Sequence, residues 1–249
     1  MKVFIATPTI ASTMQVETTL SIVTMVNELR DGGHGADWFN YDGAYVTRAR
    51  HILASQFLAR TDFTHLLFLD SDIGVPKGAI TRLLRTGQEV IGLACPLRHF
   101  EIARFAEAAR EAPEGPPDLP RLNALSRRFN IEPDPADPVI RNGFLRVSRI
   151  GFGCIMIART ALKKLITSGS VARRKSESFR QFGLEGEYWA FFDEMTLPEG
   201  FVSEDYAFCQ RWLGLPGSTI WALTDMLVAH VGAYAHRAAY LDKFRPLRP

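Results

Sequence analysis

His65-Leu66-Leu67-Phe68-Leu69-Asp70-Ser71-Asp72 is the stretch on which the fold class turns. Four apolar positions in a row, Leu66 to Leu69, preceded by Thr64-His65 and closed by an acidic turn, read as a buried β-strand ending in polar residues. On its N-terminal side, 46–60 carries Val46, Leu53 and Phe57 on one helical face. On its C-terminal side, Pro76 sits where a helix can start, because a missing N–H costs nothing in the first turn. Helix, strand and helix in succession is the rhythm of an α/β protein with a largely parallel sheet.

The same rhythm runs outward in both directions. Residues 3–7 are a short β-prone run ending at Pro8, and 15–30 place Val16, Leu20, Val23, Val26 and Leu29 at helical spacing before the stop Asp31-Gly32-Gly33. Further strands are expected at 36–39 and 89–94. Residues 101–142 break the pattern: they are rich in proline, alanine and charge, and are expected to form a helical or irregular, partly mobile insertion. The pattern then resumes with β-like sequence over 144–158, interrupted by Gly151 and Gly153, and a helix over 159–166. A polar loop is expected at 173–187, a helix at 203–213 with Ser203 as N-cap, and strands at 219–223 and 226–230. One domain spanning 1–249, with the insertion at 101–142, accommodates all of this.

Composition narrows the class. The chain has 47% hydrophobic and 22% charged residues and a formal charge of +2, so no acidic or basic excess selects a partner and nucleic acid is not expected. Arginine is dense around 121–149 and 173–180, where it suits phosphate or a peripheral contact with an anionic membrane surface, or simply a solvated face. Cys95, Cys154 and Cys209 each lie in apolar surroundings without a C-x-x-C pair and read as small buried hydrophobes in a reducing compartment. The first residues lack a long apolar run, so a cytoplasmic location is the expectation.

Asp70 and Asp72 stand where a strand gives way to Gly74-Val75-Pro76. Ligands of open α/β sheets bind at the carboxyl ends of strands. Two carboxylates one residue apart supply hard oxygen ligands for Mg²⁺ or Mn²⁺, which would in turn neutralise a diphosphate. Asp is also a common turn residue, so the pair alone is equally a strand-end turn. An EF-hand loop counted from Asp70 would need glutamate at its twelfth position, which holds Thr81. A haloacid dehalogenase-type phosphatase would place its D-x-D in the first strand and continue it with Thr or Val, whereas here Ile73-Gly74 follows. Glu204 and Asp205 open a second cluster in the first turn of a helix. There they complement the helix dipole or supply a general base to a hydroxyl. His230 ends the run Met226-Leu227-Val228-Ala229 and is a structural histidine or a third metal ligand. The other histidines (His34, His51, His65, His99 and His236) have no comparable setting.

Taken in order, these segments resemble glycosyltransferases of the GT-A fold, especially small bacterial and viral members. The resemblance rests on Phe4-Ile5-Ala6-Thr7-Pro8, Arg48-Ala49-Arg50, Leu69-Asp70-Ser71-Asp72, Gly151-Phe152-Gly153-Cys154, Ser203 to Cys209, Gly217 to Trp221 and His230-Val231-Gly232. It covers most of the chain outside 101–142, which has no clear counterpart. It implies a Rossmann-like sheet flanked by helices and transfer of a sugar from a nucleoside diphosphate sugar, UDP- or GDP-linked, to a glycan or other hydroxyl acceptor. It implies that Thr7 and Pro8, in a loop after the first strand, contact base and ribose. Arg48 and Arg50 would approach base or diphosphate, and Ser71 and Gly153 would line the donor site. Asp70, Asp72 and His230 would hold Mn²⁺ or Mg²⁺, with Asp72 the main ligand. Asp205 would act as base with inversion, supported by Glu204, and Trp189, Phe192, Asp193 and Glu194 would lie toward the acceptor.

Two other readings use the same residues. A metal-dependent nucleotidyltransferase or phosphotransferase would carry a Gly-rich, basic loop after the first strand, which Thr7-Pro8-Thr9-Ile10-Ala11 lacks. A non-catalytic nucleotide-sugar or glycan-binding module would keep the acids as structure.

Overall fold

The chain is described by a computed structural model covering residues 1–111, 118–198, 200–232 and 235–244. Its elements, in order, are β1 (Lys2–Thr9), α1 (Val16–Asp31), β2 (Gly35–Asp42), α2 (Val46–Ala59), β3 (His65–Leu69), β4 (Ile73–Gly74), α3 (Ala79–Arg85) and β5 (Val90–Leu93). There follow α4 (Ile102–Arg110), α5 (Leu119–Leu125), β6 (Ile131–Pro133), β7 (Phe144–Ile150), β8 (Cys154–Ala158), α6 (Arg159–Thr167), β9 (Arg173–Lys175) and β10 (Glu187–Trp189). The last are β11 (Met195–Leu197), β12 (Gly200–Val202), α7 (Glu204–Leu213), β13 (Ile220–Leu223), β14 (Val228–Val231) and β15 (Ala235–Ala238).

In β3, Leu66 and Phe68 pack into one core cluster, while Leu67 and Leu69 pack into a second. Successive side chains of a strand point to opposite faces, so a strand apolar at every position is one covered on both sides. β1 divides the same way, Phe4 and Ala6 against Val3 and Ile5. Leu53 and Phe57 of α2, Leu162 and Leu165 of α6, and Phe208 and Trp212 of α7 join the first cluster. Ile22, Met25 and Leu29 of α1, and Ile80 and Leu83 of α3, join the second. The result is a sheet between two helical layers.

The main sheet has eight strands in the order β2-β1-β3-β8-β5-β13-β7-β6. β1 pairs in parallel with β2 and β3, and β5 with β13, while β8 and β7 run antiparallel to their neighbours. Six strands therefore point one way and two the other. This is a mixed, mostly parallel sheet flanked by helices, compatible with a Rossmann-like fold. A separate three-stranded sheet, β15-β14-β4, lies at the carboxyl end of β3.

Several expectations need correction. The buried stripe of α1 is Thr18, Ser21, Ile22, Met25 and Leu29, whereas Val16, Leu20 and Val23 are exposed. The helix is apolar on more than one side, and the 22–25–29 spacing won over 16–20–23. α3 starts at Ala79 rather than at Pro76, because Gly78 takes a left-handed φ of 88° just before it. Val46 of α2 is exposed, while Leu53 and Phe57 are fully buried. The segment 173–187 is not plain loop: β9 and β10 pair as a hairpin around a short 3₁₀ turn, Glu177–Phe182. Within 101–142, α4 and α5 are helices, in line with the helical alternative, while β6 adds a strand that pairs with β7 at the edge of the main sheet. The proline-rich centre of that segment, 112–117, and residues 245–249 lie outside the described residues. All three cysteines are free and buried, and burial pushes the Cys154 and Cys209 thiols up to about 12. Among the described residues no helix is long and apolar enough to cross a membrane.

Candidate active site

The residues flagged by sequence gather into two adjoining charge clusters at the carboxyl end of β3. The first is centred on Arg50. It lies in α2 amid a run of buried residues, Ala49 to Ala54, and is itself 3% exposed. Its Nη2 donates to Asp70 Oδ1 at 3.1 Å and Oδ2 at 3.4 Å, and its Nε donates to Glu204 Oε1 at 3.3 Å. The rings of Phe68 and Phe152 stand 5.2 and 5.1 Å from the guanidinium carbon, within cation–π range. Nη1 is buried and has no hydrogen-bond partner among the described residues. Burial alone would weaken the guanidinium's hold on its proton. Asp70, Glu204 and Asp205 more than offset that, so Arg50 is held firmly cationic. Close packing, with Asp72 nearby, pushes the Asp70 carboxyl above its ordinary range against the pull of Arg50.

The second cluster is centred on Asp72. β4 and β14 pair with His230 opposite Ile73, and Val231 N donates to Asp72 O at 2.8 Å. That pairing carries His230 across 158 residues of sequence to Asp72. His230 Nε2 lies 3.3 Å from Asp72 Oδ2, and Nδ1 lies 2.8 Å from the Pro96 carbonyl oxygen. A carbonyl can only accept, so Nδ1 carries the proton. Nε2 is then the nitrogen that faces Asp72 Oδ2. Arg98 Nη1 approaches the same Oδ2 at 3.2 Å.

Carboxylate oxygen and imidazole nitrogen are both ligands for divalent cations, and a backbone carbonyl on the far ring nitrogen is the usual support for a ligating histidine. Asp72 and His230 are thus two side chains of ligating types held face to face at the strand end. Among the described residues, no group of three or more His, Cys, Asp or Glu is placed to hold a metal ion. Asp70 is not joined to the pair, because both its oxygens face Arg50.

Asp205 stands beside the first cluster, close enough to Arg50 to act on its charge. Its Oδ1 accepts from the Ser203 hydroxyl and from Tyr206 N at 2.8 Å. Ser203 is the residue before α7 as expected, but its side chain makes no capping bond and serves Asp205 instead. The other oxygen, Oδ2, faces Gly151, where an added Cβ would stand 3.3 Å from it. One oxygen is anchored and the other is left beside a position with no side chain. Gly151 is itself placed by Asn130, whose O accepts from Gly151 N at 2.7 Å. The Asn130 side chain accepts from Cys95 N at 2.8 Å and donates to Gly151 O at 3.0 Å. Asp70 N donates to Gly153 O at 3.0 Å, tying the glycine turn to the acidic turn.

The remaining flagged residues are more scattered. Thr7 and Pro8 lie within β1 rather than in a loop after it. Thr7 is fully buried, and its hydroxyl accepts from Trp38 Nε1 at 3.0 Å. Pro8 is tolerated there because pairing with β3 ends at Ala6, leaving no ladder bond for its nitrogen on that side. Ser71 takes part through its backbone: its carbonyl accepts from Gln15 N at 2.8 Å, tying the β1–α1 loop to the acidic turn. Arg48 points away from Arg50 and donates to Ser178 Oγ at 3.1 Å. It lines a cleft of about 540 Å³ with Tyr45, His51, Ser176, Tyr188 and Asp193, and Glu194 borders the same space. Phe192 is wholly buried, and its N–H donates to His51 Nε2 at 3.1 Å. Trp189 lines a neighbouring cleft of about 410 Å³.

Sequence reasoning missed Arg98 and Asn130. Neither sits in a recognisable motif, and both act through contacts across 21 residues or more, Arg98 on Asp72 and Asn130 on Cys95 and Gly151. His51 was also passed over, although its place inside the apolar face of α2 was a visible sign of burial.

No family sequence model and no curated protein matches the chain. Among solved structures it is similar to the crystal structure of A197 from STIV, with a TM-score of 0.50 and 16% identity, covering 99% of this chain and 93% of that one. A crystal structure of a glycosyltransferase involved in the glycosylation of the major capsid of PBCV-1 aligns with a TM-score of 0.28 and 12% identity, over 68% of this chain and 64% of that one. At that score the second likeness says nothing about this chain. The first is a likeness of fold alone, end to end over nearly the whole of both chains.

Proposed function

We propose that this protein is a GT-A glycosyltransferase that moves a sugar from a nucleoside diphosphate sugar to an acceptor hydroxyl, with inversion, using Mn²⁺ or Mg²⁺. The observation that carries the reading is the division of labour among four acids at one strand end. Asp70 and Glu204 neutralise buried Arg50, while Asp72 faces His230 and Asp205 keeps one oxygen free.

A sugar hydroxyl is a weak nucleophile at neutral pH, and a carboxylate within hydrogen-bond reach takes its proton as attack proceeds. Asp205 Oδ2 is suited to that task. Ser203 and Tyr206 N fix the other oxygen, so the free one is held in place rather than turning with its side chain. As the acceptor oxygen bonds to the anomeric carbon, the bond from that carbon to the diphosphate oxygen breaks, and the nucleoside diphosphate leaves with the electron pair. Asp72 and His230 would hold the divalent cation, which supplies charge neutralisation for the leaving diphosphate. Glu204 serves Arg50 rather than the acceptor, and Asp70 does the same. This reassigns Asp70 from metal ligand to counter-ion. Arg50, held by two carboxylates, keeps Asp70 and Glu204 in register across α2, the β3 end and α7. Arg48, Thr47 and Glu194 border the cleft beside the N-terminal end of α2, where a ligand larger than the diphosphate finds room.

Isothermal titration with UDP and GDP tests this. A transferase of this kind binds one of them far more tightly with Mn²⁺ than without, and Asp72→Ala removes the difference. Asp205→Asn keeps nucleotide binding and stops transfer. Equal affinity with and without metal in the wild type would overturn the metal assignment, and normal turnover in the Asp205→Asn variant would exclude that residue as base.

A further inference from the structure

We infer that Arg98 is an exchangeable internal cation: it occupies Asp72 until a divalent ion arrives, then turns its guanidinium to the incoming diphosphate. This rests on the metal assignment above and adds a positioning residue to it.

Asp72 Oδ2 is claimed twice, by His230 Nε2 at 3.3 Å and by Arg98 Nη1 at 3.2 Å. The two claims differ in kind. His230 is fixed, because β14 is paired to β4 and Nδ1 is bonded to Pro96 O. Arg98 is held less: its side chain is 52% exposed, and Asp72 is the one ion-pair partner of its guanidinium among the described residues, without a hydrogen bond between them. Its path to Asp72 crosses Gly232, where a Cβ would stand 2.9 Å from Arg98 Cδ. Gly232 follows β14 directly, so the strand that fixes His230 also leaves the lane along which Arg98 reaches the carboxylate. The backbone is held too: Leu97 N donates to Arg128 O at 2.8 Å, and the neighbouring Pro96 bridges to Phe129. A held backbone with an exposed guanidinium at its end leaves the side chain room to turn.

Arg98 and a divalent cation cannot both sit on that oxygen at contact distance without like-charge repulsion. Binding of the ion therefore releases the guanidinium, and the nearest new anion is the diphosphate that shares the ion. A planar guanidinium pairs well with phosphate oxygens. Arg98 thus lowers the affinity for free metal and raises that for the metal–nucleotide pair, which favours binding of the two together.

The test uses the full chain with Mn²⁺ alone, and then UDP or GDP with Mn²⁺. Arg98→Gln should bind Mn²⁺ alone about two- to fivefold more tightly, the range set by an exposed ion pair, and should bind the metal–nucleotide pair more weakly than wild type. Adding Asp72→Asn should erase the gain. Arg98→Lys should restore part of the nucleotide affinity. In a Mg²⁺ titration, the Arg98 guanidinium ¹⁵N–¹H resonance, assigned by its loss in Arg98→Gln, should shift in wild type and stay still in Asp72→Asn. Unchanged Mn²⁺ affinity in Arg98→Gln, where Asp72→Asn still abolishes binding, would overturn the exchange and leave the metal assignment standing. Absence of Mn²⁺ binding in both proteins would overturn both.

Discussion

Replacing Arg50 by methionine removes the charge at the centre of the first cluster while keeping an apolar stem against Phe68 and Phe152. The consequence follows from what is left behind. Glu204 is 11% exposed at its side chain and loses its cationic partner, and Asp70, at 31%, loses a bond to both oxygens. Removing one partner of a buried ion pair costs about 3–5 kcal/mol, because the remaining charge is stranded away from water. Asp70 keeps some access to solvent, so the lower end applies, about 3 kcal/mol. For a chain of this size that lowers the melting temperature by about 10 °C. Urea or thermal unfolding at pH 7 reads the effect. The deficit should shrink in acid, since stranded carboxylates relieve their cost by taking up protons. Combining Arg50→Met with Asp70→Asn and Glu204→Gln removes the stranded charges and should recover much of the loss. A single variant within about 1 kcal/mol of wild type, the range of a surface ion pair, would refute the picture of a buried anchor. So would a triple variant no more stable than the single one.

Two further outcomes come from neighbouring residues. His51 is buried, and burial draws its pKa down to about 4, with Asp193 pulling the other way. The unfolded chain therefore takes up a proton before the native one does, and stability is lost as pH falls from about 6.5 toward 4, by as much as about 3 kcal/mol. His51→Gln, which keeps an acceptor for Phe192 N, should flatten that slope in unfolding curves taken between pH 4 and 7. At Gly151 an added methyl would stand 3.1 Å from Asn130 Cβ and 3.3 Å from Asp205 Oδ2. Gly151→Ala should therefore cost little stability, about 1 kcal/mol, while lowering kcat more than KM by displacing the free oxygen of Asp205. Equal effects on both constants would place Gly151 in donor binding instead.

The sheet was legible in the sequence because its strands announce themselves by composition. Leu66 to Leu69 are apolar at every position, as only a strand covered on both sides requires, and β1 and β5 repeat the signal. Strand order was not legible, since β8 enters between β3 and β5 by pairings that no local pattern encodes. Helix existence was clear for α1, but its buried face was not, because Leu20 and Val23 are as apolar as Ile22 and Met25. At the site, sequence singled out Asp70, Asp72, Glu204, Asp205 and His230, and the fold brings these near one another. It could not divide their roles. Whether Asp70 faces a cation from solution or one from α2 depends on Arg50 being turned inward, which is a tertiary fact. Asn130 and Arg98 carry no local signature, since each acts through contacts with residues distant in the chain.

The most direct test is release of nucleoside diphosphate from a panel of UDP- and GDP-sugars incubated with the purified protein, with Mn²⁺ and with chelator. Release of UDP or GDP from at least one donor with Mn²⁺, lost with chelator and in Asp72→Ala, is the expected result. No release and no metal-dependent nucleotide binding across the panel would contradict the assignment of this site to sugar transfer.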